Sequence, residues 1–282
     1  MTMGSLKRIR KGKEVLLALK DYGPLTRKTL SQIVPDIKDE RNFRRTLAVL
    51  SEKNLICKRF ENINGGQATV YQLNQNSGAR DILAVYLDCQ PTDLKQNDFR
   101  YRELYHEQVS ATLTFQLKRM FPEAQVYRDF QLHHDSRIRQ ILTQLENVES
   151  AKPDVLMVFW NSTVGRVSIA FEFERTAKAK NRLQHKLKSY CSESRLDGVV
   201  YIGSSDQIIS NLQDIYRERV LEKSNRIKFY GNNFLLCSTF TGNIRDSLSV
   251  CLNAEMKTLR FADWVHILAH TKDEDRRNLS FG

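Results

Sequence analysis

Apolar residues recur at helical spacing near the start of the chain, and two segments with alternating apolar residues follow them. The pattern predicts helices over residues 12–22, 26–33 and 39–54 and the strands of a β-hairpin over residues 55–60 and 67–73. In the third helix, Phe43, Leu47 and Leu50 share one face, which is expected to pack inward. The opposite face of this helix is then expected to meet solvent.

From residue 99 onward, a long amphipathic helix is followed by a mixture of strands and helices. The predicted elements are a helix over residues 99–121, a strand over 125–132, a helical insertion over 136–151, strands over 152–159 and 167–174, a helix over 176–190, a strand over 198–203, a helix over 205–223, and edge strands over 227–230 and 234–237. The pattern predicts an α/β protein, α+β overall, with domains at 1–75 and 99–282, the second ending in a C-terminal extension. Residues 76–98 are predicted to be a linker, in which residues 82–87 form a strand or a helix.

The central pair of strands in the second domain carries three acidic residues. Asp154 lies at the start of the first strand, and Glu172 and Glu174 share one face near the end of the second. Carboxylates a few ångströms apart raise each other's pKa and cost stability unless a positive charge lies beside them. A divalent cation at these strand ends is the simplest source of that charge.

The composition is that of a soluble globular protein. Apolar residues make up 41% of the chain, and no run of about 18 of them is present to cross a bilayer. The five cysteines include no C-x-x-C pair, so a disulfide framework is not predicted. A reducing cytoplasm is the expected location.

The whole chain has a net formal charge of +11, and most of this excess lies in its first quarter. Residues 1–74 contain 15 Lys and Arg against 7 Asp and Glu, whereas residues 75–282 contain 29 against 26. A basic module joined to a nearly balanced one favours docking on a polyanion. A solvated basic surface without a partner is the alternative.

Three helices followed by a hairpin resemble a winged helix-turn-helix. In the DNA-binding forms of that fold, the third helix enters the major groove and the hairpin contacts the backbone or the minor groove. The resemblance implies DNA contacts by Arg41, Asn42, Arg44, Arg45, Lys58 and Asn64. Winged helices also dock proteins, but the exposed side of the third helix is cationic, which favours DNA because arginine and asparagine can form paired hydrogen bonds with base edges.

Residues 99 to about 204 resemble the PD-(D/E)XK nuclease-like superfamily. The resemblance is carried by the order helix, strand, Pro-Asp strand, acidic strand, lysine-rich helix and apolar strand, which corresponds to an αβββαβ core. It implies that Asp154 and Glu172 bind Mg²⁺ if the site is catalytic, with Glu107 as the acidic residue that some members add from the first helix. Oxygen ligands suit Mg²⁺, which would activate water for phosphodiester hydrolysis.

The superfamily carries a catalytic lysine two residues after the metal-binding glutamate, and this chain departs from that pattern. Glu174 stands where the lysine would be. Lys186, four residues before Tyr190, is the candidate for a displaced lysine, with Lys178 and Lys180 as weaker candidates. The loss of lysine at position 174 leaves open whether the site is active.

The winged helix joined to such a domain resembles the replication-relaxation group of plasmid and integrative-element proteins. The shared features are Phe-Glu-Phe-Glu-Arg-Thr at residues 171–176 and Lys-x-x-x-Tyr at residues 186–190. The resemblance implies a DNA-binding protein of a bacterial mobile genetic element that acts in conjugation, plasmid mobilisation or replication. Its partners would be double-stranded DNA and other mobilisation or replication proteins, with no membrane. An active Mg²⁺-dependent endonuclease and a transcription regulator whose second domain only forms a homodimer stay open as alternatives.

Overall fold

The computed structural model contains both helices and strands, which confirms the predicted α+β class. It describes residues 3–34, 39–63, 66–94, 104–134, 153–162, 165–176, 179–191, 196–221, 235–239, 244, 248–251 and 258–266. Within these ranges, one sheet has three strands and a second has seven. No helix in the same ranges combines the length and the apolar character needed to cross a membrane.

The chain divides into two compact units, Met1–Thr112 and Leu113–Gly282. The division falls inside a helix, Leu104–Met120, and not in the segment predicted to be a linker. The boundaries therefore differ from the predicted domains at 1–75 and 99–282, and residues 77–94 belong to the first unit.

Three helices open the first unit, as the apolar pattern predicts. They are α1 (Met3–Tyr22), α2 (Arg27–Ile33) and α3 (Glu40–Glu52). Thr26 caps α2, because its Oγ1 accepts a hydrogen bond from the Thr29 N–H at 3.1 Å. Phe43, Leu47 and Leu50 are buried, which confirms the inward face of α3.

A hairpin and one short strand form the sheet of the first unit. The strands are β1 (Leu25–Thr26), β2 (Ile56–Ile63) and β3 (Gly66–Leu73), in the order β1-β3-β2 with antiparallel pairing throughout. Val70 and Leu73 on the central strand are buried. Strand β2 is at the edge, and its residues 58–60 are exposed.

A helix occupies most of the segment predicted to be a linker. Helix α4 (Ser77–Leu87) is followed by a 3₁₀ turn (Pro91–Leu94). Leu83, Ala84 and Leu87 of α4 are buried, so this helix packs as part of the first unit. Of the two forms open for residues 82–87, the structure has the helix.

Helix α5 (Leu104–Met120) leads into the second unit, whose strands form one seven-stranded sheet. The elements are β4 (Gln125–Arg128), α6 (Asp129–His134), β5 (Val155–Asn161), β6 (Gly165–Glu174), α7 (Lys180–Cys191), β7 (Gly198–Gly203), α8 (Asp206–Ile215), β8 (Leu235–Thr239), β9 (Leu248–Cys251) and β10 (Thr258–Arg260). Their order is β10-β9-β8-β7-β6-β5-β4. The β6–β7 and β7–β8 pairs are parallel and the others are antiparallel.

Two predictions for the second unit were wrong. Strand β4 ends at Arg128, whose N–H donates to Gln131 Oε1 at 2.9 Å, and the next residues form α6 instead of extending the strand. Strand β8 lies between β7 and β9 and not at an edge, because β9 and β10 extend the sheet. The segments predicted at residues 136–151 and 227–230 lie outside the described residues.

The two faces of this sheet pack against different partners. On one face, α7 and α8 contribute to a hydrophobic core that includes Ala170 and Leu187. On the other face, Phe171 packs edge-on against Phe261, with ring centroids 5.7 Å apart. Because side chains alternate along β6, Glu172 lies on the face of Ala170, under α7.

Candidate functional site

The outward face of α3 carries the side chains predicted for DNA contact. Arg41, Asn42, Arg44 and Arg45 are all exposed, whereas the apolar residues of the same helix are buried. The four side chains therefore project from the side opposite the core. Three of them are cationic, which makes this side of α3 a basic surface in the first unit.

Two acidic residues at the start of α3 hold part of this surface in place. Asp39 caps the helix, and its Oδ2 accepts a hydrogen bond from Asn42 Nδ2 at 2.7 Å. Glu40 Oε1 accepts from Arg44 Nε at 2.9 Å, in an i,i+4 pair. Asn42 and Arg44 are thus oriented by their own helix.

The sheet of the first unit adds one further predicted contact. Lys58 is exposed on β2, and its partner across the ladder is Tyr71 on β3. Asn64 lies outside the described residues. All the predicted DNA-contact residues that the structure describes are exposed, as DNA contact requires.

In the second unit, Asp154 and Glu172 are brought together where β5 begins and β6 ends. The Asp154 N–H donates to the Phe171 carbonyl at 3.0 Å, and Asp154 Oδ2 accepts from the Phe173 N–H at 2.7 Å. These two bonds flank Glu172 on β6. The Asp154 side chain is therefore fixed against the strand that carries Glu172.

Glu172 is 1% exposed, and both of its carboxylate oxygens have partners on α7. Lys186 Nζ donates to Glu172 Oε2, and the Tyr190 hydroxyl donates to Glu172 Oε1. Lys186 and Tyr190 are four residues apart, one helical turn, so they reach the strand from the same side of α7. The Lys-x-x-x-Tyr spacing thus serves to clasp one buried carboxylate.

Glu172, Lys186 and Tyr190 form what we call the clasp, and burial and neighbouring charges shift the pKa of each of them. Burial and the Asp154 carboxylate raise the pKa of Glu172 to about 8, although Lys186 and the Tyr190 hydroxyl both act to lower it. For Lys186, burial acts to lower the pKa, but the carboxylates of Glu172, Asp154 and Glu174 outweigh it, so the pKa is raised. Burial and the charge of Glu172 raise the pKa of Tyr190 well above its ordinary value.

The other predicted residues of the nuclease-like site are Glu174, Lys180, Lys178 and Glu107. Glu174 is 4% exposed and lines a small pocket between α7 and α8 together with Lys180. Lys180 itself is exposed at the start of α7, and Lys178 lies outside the described residues. Glu107 is buried on the part of α5 that belongs to the first unit. Lys186 is thus the lysine that pairs with Glu172.

The predicted Mg²⁺ ligands Asp154 and Glu172 are of the right chemical type to hold the ion, but Glu172 would have to exchange a hydrogen-bond partner for it. Asp154 and Glu172 are adjacent oxygen donors, the type that Mg²⁺ prefers. Both oxygens of Glu172, however, are already bonded to Lys186 and Tyr190, so a cation at Glu172 has to displace one of them. Among the described residues, no group of three or more His, Cys, Asp or Glu side chains is arranged to hold a metal ion.

Several residues of these two sites were not predicted to take part. In the sequence, Tyr190 stood out only as the end of the Lys-x-x-x-Tyr spacing, which did not predict that its hydroxyl binds Glu172. Its one-turn spacing from Lys186 is the signal that could have suggested this contact. Arg27 and Tyr71 were likewise missed beside Arg44, because they reach it from α2 and β3, which are distant in sequence.

Comparison with known proteins gives no match to a family model, to a curated protein or to a solved structure. The function is therefore inferred from the residues of this chain and their arrangement.

Proposed function

We propose that the chain is a DNA-binding protein of a bacterial mobile genetic element, which binds duplex DNA through the outward face of α3 and the β2–β3 hairpin. It would act in the cytoplasm, in plasmid or integrative-element mobilisation or replication. The observation that carries the proposal is the exposed cationic set on α3, whose other side is buried. Three helices followed by a hairpin support a winged helix-turn-helix, in which α3 would enter the major groove.

The second unit would engage the same duplex with a nuclease-like fold. Its order α5, β4, β5, β6, α7, β7 supports the αβββαβ core of the PD-(D/E)XK superfamily. Because Lys186 and Tyr190 already bond both oxygens of Glu172, the arrangement favours a unit that binds DNA without cutting it.

The salt dependence of DNA binding tests this proposal. A fluorescent duplex of about 30 base pairs is titrated with the full chain at several KCl concentrations. Each cation that neutralises a phosphate contributes about −0.9 to the slope of log K against log salt, so roughly four or five contacts predict a slope near −4. Absence of binding at about 0.1 M KCl, or a slope near zero, would count against the proposal.

A second candidate function is a metal-dependent endonuclease, and the convergence of Asp154 and Glu172 favours it. In that case these two carboxylates would hold Mg²⁺, which would stabilise charge on the phosphate and lower the pKa of a bound water. Lys186, which lies against Glu172, would be the lysine that orients the reacting water. Glu172 would have to be ionised to hold the cation, and its pKa of about 8 in the metal-free protein means that its ionised fraction rises with pH.

Incubation of supercoiled plasmid with the full chain and Mg²⁺ or Mn²⁺ separates the two functions. If the chain is an endonuclease, cutting should be roughly 25-fold faster at pH 8.5 than at pH 6.5, because the ionised fraction of Glu172 rises across its pKa. Asp154→Ala should abolish the cutting. Intact plasmid at high protein excess at both pH values removes the endonuclease and leaves DNA binding alone.

A further inference from the structure

One exposed carboxylate on the basic surface of the first unit contacts two arginines from different helices. Glu40 Oε1 lies 2.9 Å from Arg44 Nε on α3 and 3.5 Å from Arg27 Nε at the start of α2. The side chains are 52%, 61% and 46% exposed, respectively, so water and a docked ligand can reach all three. Glu40 therefore joins the first residue of α2 to the outward face of α3.

Tyr71 on β3 belongs to the same cluster. Burial raises its pKa, while the charges of Arg27 and Arg44 act to lower it and that of Glu40 acts to raise it. Tyr71 therefore lies within electrostatic range of these three charged side chains. Lys58, the cross-strand partner of Tyr71, continues the cluster onto the edge strand β2. One surface thus runs from α2 across α3 to the hairpin.

The position of Glu40 suits the control of arginine orientation. In both contacts the carboxylate meets Nε, which is one edge of the guanidinium group. The Nη atoms at the far end remain the part that can form a paired hydrogen bond with guanine O6 and N7. Arg44, which is hydrogen-bonded at its Nε edge, has fewer orientations, and Arg27 is attracted to the same carboxylate as an ion pair. A nearby carboxylate also repels phosphate, so loose contacts with the DNA backbone are disfavoured.

We propose that Glu40 is a specificity-determining positioning residue, which clamps Arg44 and Arg27 so that they read a base pair in duplex DNA instead of binding phosphates at any sequence. The inference rests on the proposed DNA-binding function. It assigns Arg27 to the DNA surface beside the arginines of α3. It also assigns opposite effects to one carboxylate: Glu40 lowers affinity for arbitrary DNA and raises discrimination between sequences.

The test compares Glu40→Gln with the native chain and with Glu52→Gln. Glu52 is an exposed acid at the other end of α3, so its variant removes the same charge without touching the clamp. Each protein selects duplexes from a pool with a randomised centre, and its affinity for the unselected pool is measured against KCl. A purely structural role of Glu40 would alter thermal stability but neither sequence preference nor salt slope.

For Glu40→Gln we expect about 5-fold tighter binding to the unselected pool, a salt slope steeper by about one, and roughly 10-fold weaker preference at one base-pair position. Glu52→Gln should change none of these by more than about 2-fold. If the native chain selects a site and Glu40→Gln gives the same results as Glu52→Gln, the positioning role of Glu40 is overturned. The DNA-binding function still stands in that case. Native chain that binds no duplex would overturn both.

Discussion

Lys186→Met is expected to destabilise the second unit by roughly 2 kcal/mol at pH 6.5 and by roughly 3 kcal/mol or more at pH 9.5. Lys186 is 19% exposed and is bonded to a glutamate that is 1% exposed, so its removal leaves a buried carboxyl group without its cation. At pH 6.5 Glu172 is mostly protonated, and the variant lacks one hydrogen-bond donor to it. At pH 9.5 the variant has either to keep a proton on Glu172 or to bury a charge with no cation beside it, and both cost more.

The pH dependence follows from the raised pKa of Glu172. A carboxyl group with a raised folded-state pKa stabilises the protein fully below its unfolded-state pKa, here 4.5, and loses that contribution as the pH rises through about 8. Without Lys186, whose charge lowers it, the pKa of Glu172 moves higher still. The variant therefore goes on losing stability above pH 8, where the contribution of Glu172 in the native protein levels off.

Urea unfolding followed by tryptophan fluorescence measures this effect in the right part of the chain, since Trp160 and Trp264 both lie in the second unit. Lys188→Met is the matched control, because Lys188 is an exposed lysine on the same helix. Glu172→Gln together with Lys186→Met should recover part of the lost stability. Equal stabilities of the Lys186 and Lys188 variants at both pH values would refute the clasp.

Periodicity predicted the parts of the fold in which one side of an element is apolar. The spacing of Phe43, Leu47 and Leu50 set the inward face of α3, and the exposed positions of its arginines followed from it. Alternation along β6 similarly assigned Glu172 and Phe171 to opposite faces. These features are local, so a single segment contains the information needed to predict them.

Features that depend on distant partners could not be predicted in the same way. The bond from the Phe173 N–H to Asp154 and the clasp of Glu172 depend on which segments meet in three dimensions. The short β4 depends on the turn into α6 directly after Arg128, where the Gln131 side chain accepts a hydrogen bond from the Arg128 N–H. The internal position of β8 depends on β9 and β10, which were not among the predicted elements.

The combined variant Arg44→Ala and Arg45→Ala is expected to bind a 30-base-pair duplex about 100-fold more weakly at about 0.1 M KCl. Both residues are exposed on the outward face of α3, away from its buried side, so their removal should leave folding intact. Each arginine that contacts DNA contributes roughly 1–3 kcal/mol, whether to a base edge or through release of counterions. The salt slope should also become shallower by one to two.

The most direct test of DNA recognition by α3 compares this variant with a second double variant, Lys13→Ala and Lys53→Ala. The control removes the same number of charges from two exposed lysines, on α1 and at the C-cap of α3, that are not among the predicted DNA contacts. If α3 contacts the duplex, the arginine variant loses about 100-fold in affinity and the lysine variant less than about 5-fold. Equal losses in the two variants would show that only overall charge matters and would contradict DNA recognition by this helix.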